Sequence, residues 1–222
     1  AGRGFVVQPV KGMKTFISDR LAHETVAPGF MIQRDLFDLA LADKAGSAGA
    51  EIRTSTSAVG LGEDGLTIVG PSGEPETVKA SVIIGADGPH SRVGRWIGSG
   101  NAFLIPGIQM RAPLAEGLSF TEVHFSSEIH AGYGWVFPRG EEANVGLGMK
   151  PVPGGPSLAE ALERFAARLV DRGVIKGGFS GFTAGWIPAG PLGDFTFGNV
   201  YLAGDAAGHT HPITGAGVAQ AV

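Results

Sequence analysis

Two short, wholly apolar runs in the chain each end in a turn that contains glycine and aspartate. The first lies at 82–88 and reads VIIGADG, and the second lies at 199–205 and reads NVYLAGD. A short run that is apolar at every position is typical of a strand in the middle of a sheet covered on both faces, as in parallel sheets. The two runs therefore predict an α/β fold in which both are strands of one parallel sheet.

Turn residues divide the segment before the first apolar run into short strands. Three strands are expected at 51–60, 66–69 and 76–80, separated by Gly/Asp-rich and Pro/Gly-rich turns. This spacing predicts a three-stranded antiparallel meander. Ahead of it, a helix is predicted with Asp35 as its N-cap and an end near Gly46.

Alternating apolar and polar residues between the two apolar runs predict an antiparallel layer. Its strands are expected at 122–129, 133–137 and 143–149. A capping box formed by Ser157 and Glu160 then starts an amphipathic helix that we expect to pack on this layer.

The predicted elements indicate two domains. The parallel sheet and the meander would occupy 1–98 together with 190–222, and the antiparallel layer with its helix would occupy 99–189. Residues 1–30 have no clear pattern, and they fit the antiparallel layer as well as the first domain.

Composition and charge exclude several classes of protein. The formal net charge is −4 and there is no basic stripe, which argues against a nucleic-acid partner. The absence of cysteine excludes a disulfide scaffold and a thiolate metal site, and it fits a reducing compartment such as the cytoplasm. His209 and His211 have no third ligand at suggestive spacing, so no metal is expected.

Three segments have residue types suited to binding a cofactor. Asp205, at the end of an apolar strand, could hold a polyhydroxylated group. The glycine-rich loop at 212–217 would lead into a helix whose N-terminus favours negative charge on a ligand. The block at 85–93 has the same strand–turn–helix pattern, and Arg34 could reach a phosphate. Taken singly, each has a plain structural alternative: a strand–turn–helix corner, an ordinary helix cap at Ser91 or a solvated arginine.

Taken in order and spacing, these segments resemble a known family. The Arg34-x-x-Phe37-Asp38 motif and the glycine- and aspartate-rich blocks at 85–93 and 204–217 resemble the flavoproteins of the aromatic hydroxylase fold. The motif at 133–138, which reads YGWVFP, and the NVG that follows at 144–146 are similar to those of the geranylgeranyl reductase branch. The resemblance runs from about residue 30 to residue 222.

The resemblance implies FAD as the cofactor and a parallel sheet that forms part of its site. Asp205 would bind the ribityl hydroxyls, Arg34 would lie near the pyrophosphate, and Asp87 with Gly88 would shape the cofactor cleft. The complete implied cofactor set is Arg34, Asp87, Gly88, Gly204, Asp205, Gly208, Pro212, Gly215, Ala216 and Gly217. The implied substrate wall is Tyr133, Trp135, Phe137, Pro138 and Gly146, although ordinary sheet core is the alternative for each of the three aromatic residues.

The chain departs from this family at its beginning. The first 30 residues have neither the G-x-G-x-x-G spacing that holds the ADP half of the cofactor nor the strand that precedes it. We therefore interpret the chain as an internal piece of a longer flavoprotein. An uncovered sheet edge where the missing strand belongs would favour self-association, and FAD binding by the chain alone is expected to be weak.

The function implied by the resemblance is FAD-dependent reduction of carbon–carbon double bonds in an isoprenoid or similarly apolar substrate. Such an enzyme would need an electron donor, either NAD(P)H or a ferredoxin-like protein. It would be cytoplasmic, and peripheral contact with the membrane is an open alternative. His211 is a candidate for the proton donor. A flavin monooxygenase acting on a hydrophobic or aromatic substrate and a non-catalytic module for an apolar ligand are the alternatives.

Overall fold

The computed structural model describes residues 4–190 and 192–210. Two compact units divide the chain: the first comprises Ala1–Leu39 with Ile105–Ile187, and the second comprises Ala40–Leu104 with Pro188–Val222. The helix α1 (Arg34–Ser47) runs across the boundary between Leu39 and Ala40. The domain boundaries expected from the sequence stay a prediction.

The first unit contains a seven-stranded mixed sheet and a helix that packs on it, together with the start of α1. Its elements are β1 (Val6–Ile17), β2 (Arg20–Ile32), β7 (Leu104–Pro113), β8 (Thr121–Phe125), β9 (Tyr133–Arg139), β10 (Glu142–Gly148), α3 (Leu158–Asp171) and β11 (Ser180–Pro188). The strands pair in the order β11-β7-β10-β9-β8-β1-β2, and β1 runs parallel to β8 whereas β8, β9 and β10 form an antiparallel meander.

The helix α3 begins at the capping box expected from the sequence. The Glu160 backbone N–H donates to Ser157 Oγ at 3.2 Å, and the Ser157 N–H donates to Glu160 Oε2 at 2.7 Å. The apolar stripe of α3, with Leu162 and Phe165, packs on strand residues such as Val136 and Val145 to form the main core. We call this covered side of the sheet the helix face.

The second unit contains two small sheets. The predicted meander is confirmed as β3 (Ser57–Gly62), β4 (Gly65–Val69) and β5 (Pro75–Val78). The predicted parallel pair is also confirmed, since β6 (Ile83–Gly85) lies parallel to β13 (Val200–Leu202), with the short β12 (Thr196–Phe197) on the other side of β13. The short helix α2 (Arg92–Trp96) follows β6. The fold class predicted from the sequence is therefore confirmed.

The strands β1 and β2 form a long antiparallel hairpin in the first unit. Two local expectations need correction. Asp35 lies in the first turn of α1 instead of capping it, since the helix begins at Arg34. The parallel pair is buried on one side alone: Ile83 is in the core, whereas Ile84 is 65% exposed.

No helix among the described residues is long and apolar enough to cross a membrane.

Candidate functional site

A row of aromatic rings lies on the sheet face opposite α3. Successive strand residues point to opposite sides, so Tyr133, Trp135 and Phe137 share one side of β9 while Val136 points into the core beneath α3. The ring centroids of Tyr133 and Trp135 are 6.0 Å apart, and those of Trp135 and Phe137 are 6.2 Å apart. We call the surface made by these three rings the aromatic face.

Two residues on neighbouring strands fix the position of the Trp135 ring. Gly146 on β10 lies directly opposite Trp135, and a Cβ atom there would come within 2.4 Å of the indole Cζ2. Gln109 on β7 lies opposite Gly146, and its Oε1 accepts a hydrogen bond from Trp135 Nε1 at 3.3 Å. Glycine at position 146 thus lets the indole ring lie over β10, and Gln109 orients it.

Pro138 does not belong to the aromatic face, contrary to the expectation from the motif. It is fully buried and lies opposite Ala143, a residue of the helix-face core. The physical reason is the alternation of strand residues, which sends Pro138 to the same side as Val136.

A polar pocket of about 260 Å³ adjoins the end of the aromatic row, where β2 leads into α1. Arg34, the predicted phosphate ligand, lines it, and its guanidinium pairs with Asp38 at 3.2 Å on the exposed surface of α1. The residues that line this polar pocket are Met31, Ile32, Gln33, Arg34, Asp35, Gln109, Arg139 and Asn144.

An apolar cavity of about 240 Å³ adjoins Trp135 on its other side. Gly107 and Ile108 of β7, together with residues 183–187 of β11, form its walls. Gln109 borders both this cavity and the polar pocket. The first unit therefore offers a path along one sheet face that is apolar in the middle and polar at one end.

In the second unit, the parallel pair brings the two predicted Gly/Asp turns together. Gly85 of β6 lies beside Leu202 of β13, and the Ala203 N–H donates to the Gly85 carbonyl oxygen at 3.0 Å. The side chain of Asn101 then links the turns, because its Nδ2 donates to the Pro89 carbonyl at 2.9 Å and to the Asp205 carbonyl at 2.8 Å. Nothing in the sequence pattern points to Asn101.

The Asp87 carboxylate holds the beginning of α2. It accepts hydrogen bonds from Ser91 Oγ at 2.5 Å and from the Arg92 and Val93 N–H groups, while Ser91 caps the helix by accepting from the Gly94 N–H. Burial alone would raise the pKa of Asp87, but these hydrogen bonds together outweigh it and lower that pKa. Asp87 thus shapes the turn and has little capacity left for a ligand.

The Asp205 carboxylate is more available. Its side chain is exposed, and Oδ1 accepts a hydrogen bond from Thr210 Oγ1 at 2.7 Å, whereas Oδ2 has no partner among the described residues. Gly204 and Gly208, on either side, have φ angles of 61° and 67°, and Gly88 has 84°, values that favour glycine. The two turns therefore bring backbone and one free carboxylate oxygen to the same end of the parallel pair.

Several predicted site residues lie outside the described residues, namely His211, Pro212, Gly215, Ala216 and Gly217. Within the described part of the chain, no group of three or more histidine, aspartate or glutamate side chains could hold a metal ion.

Comparison with solved structures shows the fold. A geranylgeranyl bacteriochlorophyll reductase-like protein from Thermoplasma acidophilum superimposes with a TM-score of 0.84 at 30% identity, covering 100% of this chain and 60% of that protein. The flavin-dependent brominase Bmp2, in a triple mutant form, superimposes with a TM-score of 0.77 at 16% identity, covering 97% of this chain and 60% of the brominase. The second likeness shows the fold alone.

Comparison of sequences points the same way. The chain is 33% identical to digeranylgeranylglycerophospholipid reductase of Methanocella arvoryzae, covering 95% of this chain and 56% of the relative. It is 31% identical to the enzyme of the same name from Methanosarcina acetivorans, covering 99% of this chain and 56% of that relative. The chain thus spans just over half the length of these curated relatives.

A family model described as FAD binding domain matches residues 13–127, which is about half of the chain. The resemblance to geranylgeranyl reductases and the assignment of FAD as the cofactor, both predicted from the motifs, are confirmed. The chain belongs to the FAD-binding domain family.

Proposed function

We propose that this chain supplies the substrate face and part of the cofactor site of an FAD-dependent enzyme that reduces carbon–carbon double bonds in a prenyl lipid. The observation that carries the proposal is the aromatic face. Three rings in a row, on the side of the sheet that α3 does not cover, offer an elongated apolar surface that matches an extended isoprenoid chain.

The aromatic face would bind the prenyl chain and keep water from it. Burial raises the pKa of the Tyr133 hydroxyl above its ordinary value, which is itself well above neutral pH, so this side chain is uncharged. Trp135 is 9% exposed and its indole N–H is bonded to Gln109, so it forms the packed middle of the row. The half-buried rings of Tyr133 and Phe137 provide the accessible apolar surface on either side of it. The relatives' names, which specify a digeranylgeranyl phospholipid, support a substrate with long prenyl chains.

The residues of the second unit fit the ribityl part of FAD. Asp205 offers a carboxylate oxygen without a partner among the described residues, and ribityl hydroxyls are hydrogen-bond donors. Positive φ angles at Gly204 and Gly208 allow the backbone to approach a ligand closely. When bound in reduced form, FAD supplies the hydride.

A test of this cofactor site is the replacement Asp205→Ala. We expect FAD affinity to fall by about 1.5–3 kcal/mol, the contribution of a hydrogen bond to a charged group. Flavin fluorescence titration with FAD in excess measures the Kd. Asp64→Ala, which removes an exposed carboxylate from the turn between β3 and β4, is the control and should leave the Kd unchanged. A Kd for Asp205→Ala equal to that of the unaltered chain would remove Asp205 from the site.

The finer features of the reaction belong to the same proposal. A reductant is needed, and NAD(P)H and a ferredoxin-like protein are both suitable. Because the proposed lipid substrate resides in a membrane, the enzyme would act at the cytoplasmic surface of that membrane. The strand β6 pairs with β13 on one side and has no other strand partner among the described residues, so its free edge offers a route to self-association.

The experiment that tests the function supplies the chain with FAD, dithionite and geranylgeranyl phosphate without oxygen. We expect the prenyl product to gain two hydrogen atoms for each saturated double bond, as measured by mass spectrometry. In a parallel assay in air, with NADPH in place of dithionite, a hydroxylated product that forms with oxygen consumption would instead make the protein a monooxygenase. Binding of the prenyl compound without any binding of FAD would make the chain a non-catalytic module.

A further inference from the structure

The aromatic row ends in a cation. Arg139 is the next residue of β9 on the same side as Tyr133, Trp135 and Phe137, and it lines the polar pocket. Its side chain is half-buried, and its guanidinium has no hydrogen bond or ion pair with any described residue. Glu142 lies opposite Arg139 across the β9–β10 pair but forms no ion pair with it. A half-buried guanidinium without a partner is costly, which favours an anionic ligand there.

Two amide groups in the polar pocket are free to donate to the same ligand. Gln109 accepts from Trp135 Nε1 through its Oε1, which leaves the NH₂ group of that amide without a described partner. The side chain of Asn144, which lies opposite Phe137, also has no hydrogen bond among the described residues. Amide NH₂ groups and a guanidinium are together the donors that suit phosphate oxygens.

None of the other charges around the polar pocket forms an ion pair with Arg139. Arg34 is already paired with Asp38, and the Asp35 carboxylate accepts a hydrogen bond from Gln33 Nε2 at 3.2 Å. The lining residues therefore contain two arginines and one aspartate, and Arg139 is the cation among them that has no ion pair with a described residue.

We propose that the polar pocket binds the phosphate group of the prenyl substrate, with Arg139 as the main cation and Asn144 and Gln109 as hydrogen-bond donors. This inference rests on the proposed function and deepens it, because it specifies the orientation of the substrate. The phosphate end lies beside Arg139 and Phe137, and the chain runs along the aromatic face towards Tyr133.

A phosphate in this pocket could also belong to FAD, since Arg34 is expected near the pyrophosphate. The test therefore compares three probes: geranylgeranyl phosphate, geranylgeraniol, which has the same chain and a neutral head group, and FAD. Tryptophan fluorescence reports binding of the two prenyl probes, because Trp135 lies on the aromatic face. Flavin fluorescence reports binding of FAD. The variants are Arg139→Met, Arg139→Lys and, as a control for loss of one positive charge, Arg164→Met on the exposed side of α3.

We expect Arg139→Met to weaken the binding of geranylgeranyl phosphate by about ten- to a hundredfold and to leave the Kd values of geranylgeraniol and FAD unchanged. Arg139→Lys should restore part of the loss, and Arg164→Met should behave like the unaltered chain. Equally weakened binding of both prenyl probes, or weakened binding of FAD alone, would overturn the inference while leaving the proposed function in place. Failure of the unaltered chain to bind either prenyl probe would instead overturn the proposed function itself.

Discussion

The two faces of the seven-stranded sheet are built from the same strands but differ in what they contact. On the helix face, Val136, Val145 and Leu147 are fully buried beneath α3. On the aromatic face, Tyr133 and Phe137 are half-buried. Since neighbouring residues of β9 alternate between the faces, one strand provides both the core and the candidate substrate surface. Stability and binding can therefore be assigned to alternate positions of β9.

The helix face also contains a buried pair of titratable side chains. His124 Nε2 lies 3.1 Å from Glu122 Oε2, and both side chains are buried. The His124 ring stacks on Phe16 at 4.7 Å between centroids and meets the edge of Phe165 at 5.2 Å. Enclosure between two aromatic rings shields this pair from water, so it is part of the packed core.

Removal of the largest side chain from the helix face should have the greatest effect. Phe165→Ala is expected to lower the free energy of unfolding by about 3–5 kcal/mol, because Phe165 is 1% exposed and packs against Gly134. Chemical denaturation measures this loss. Phe197→Ala, at a residue that is 67% exposed, is the control and should cost less than about 0.5 kcal/mol. Equal costs for the two variants would mean that α3 does not cover the core.

The smaller replacement Gly146→Ala tests whether Gly146 fixes the position of the Trp135 ring on the aromatic face. In Gly146→Ala the new Cβ would collide with the Trp135 ring and lie 2.6 Å from Gln109 Cβ, so the ring must move. We expect a cost of about 1–3 kcal/mol in unfolding free energy, typical of overpacking, and a shift in tryptophan emission. Gly60→Ala is the matched control, since its nearest neighbour, Thr67, lies at 3.8 Å. An unchanged emission spectrum would show that Gly146 does not determine the position of the indole ring.

Local sequence signals were sufficient for the elements next to the aromatic face. The strands β8, β9 and β10 alternate apolar and polar residues, and α3 has both a capping box and an apolar stripe, so each could be predicted. The aromatic motif and the two Gly/Asp turns likewise identified the family, because their order and spacing are specific.

Elements without a clean pattern could not be predicted. The strand β1 contains Pro9, and at Gly12 it has a register shift where a Cβ would lie 1.9 Å from the Thr25 carbonyl oxygen. Nearly all residues of β11 are exposed, so no alternation marks it. Gln109 and Asn101 act through hydrogen bonds between distant segments, which no local pattern contains.

Two adjacent residues of β9 test directly whether the two faces of this strand have different roles. Val136→Ala and Phe137→Ala change neighbouring side chains that point to opposite faces, and each variant is assayed for unfolding free energy and for the ratio of Kd values for geranylgeraniol and farnesol. Val136→Ala should cost about 2 kcal/mol of stability and leave the ratio unchanged, since Val136 is fully buried. Phe137→Ala should change the ratio several-fold with a smaller loss of stability. Equal losses of stability with an unchanged ratio in both variants would contradict the account and make the aromatic row ordinary core.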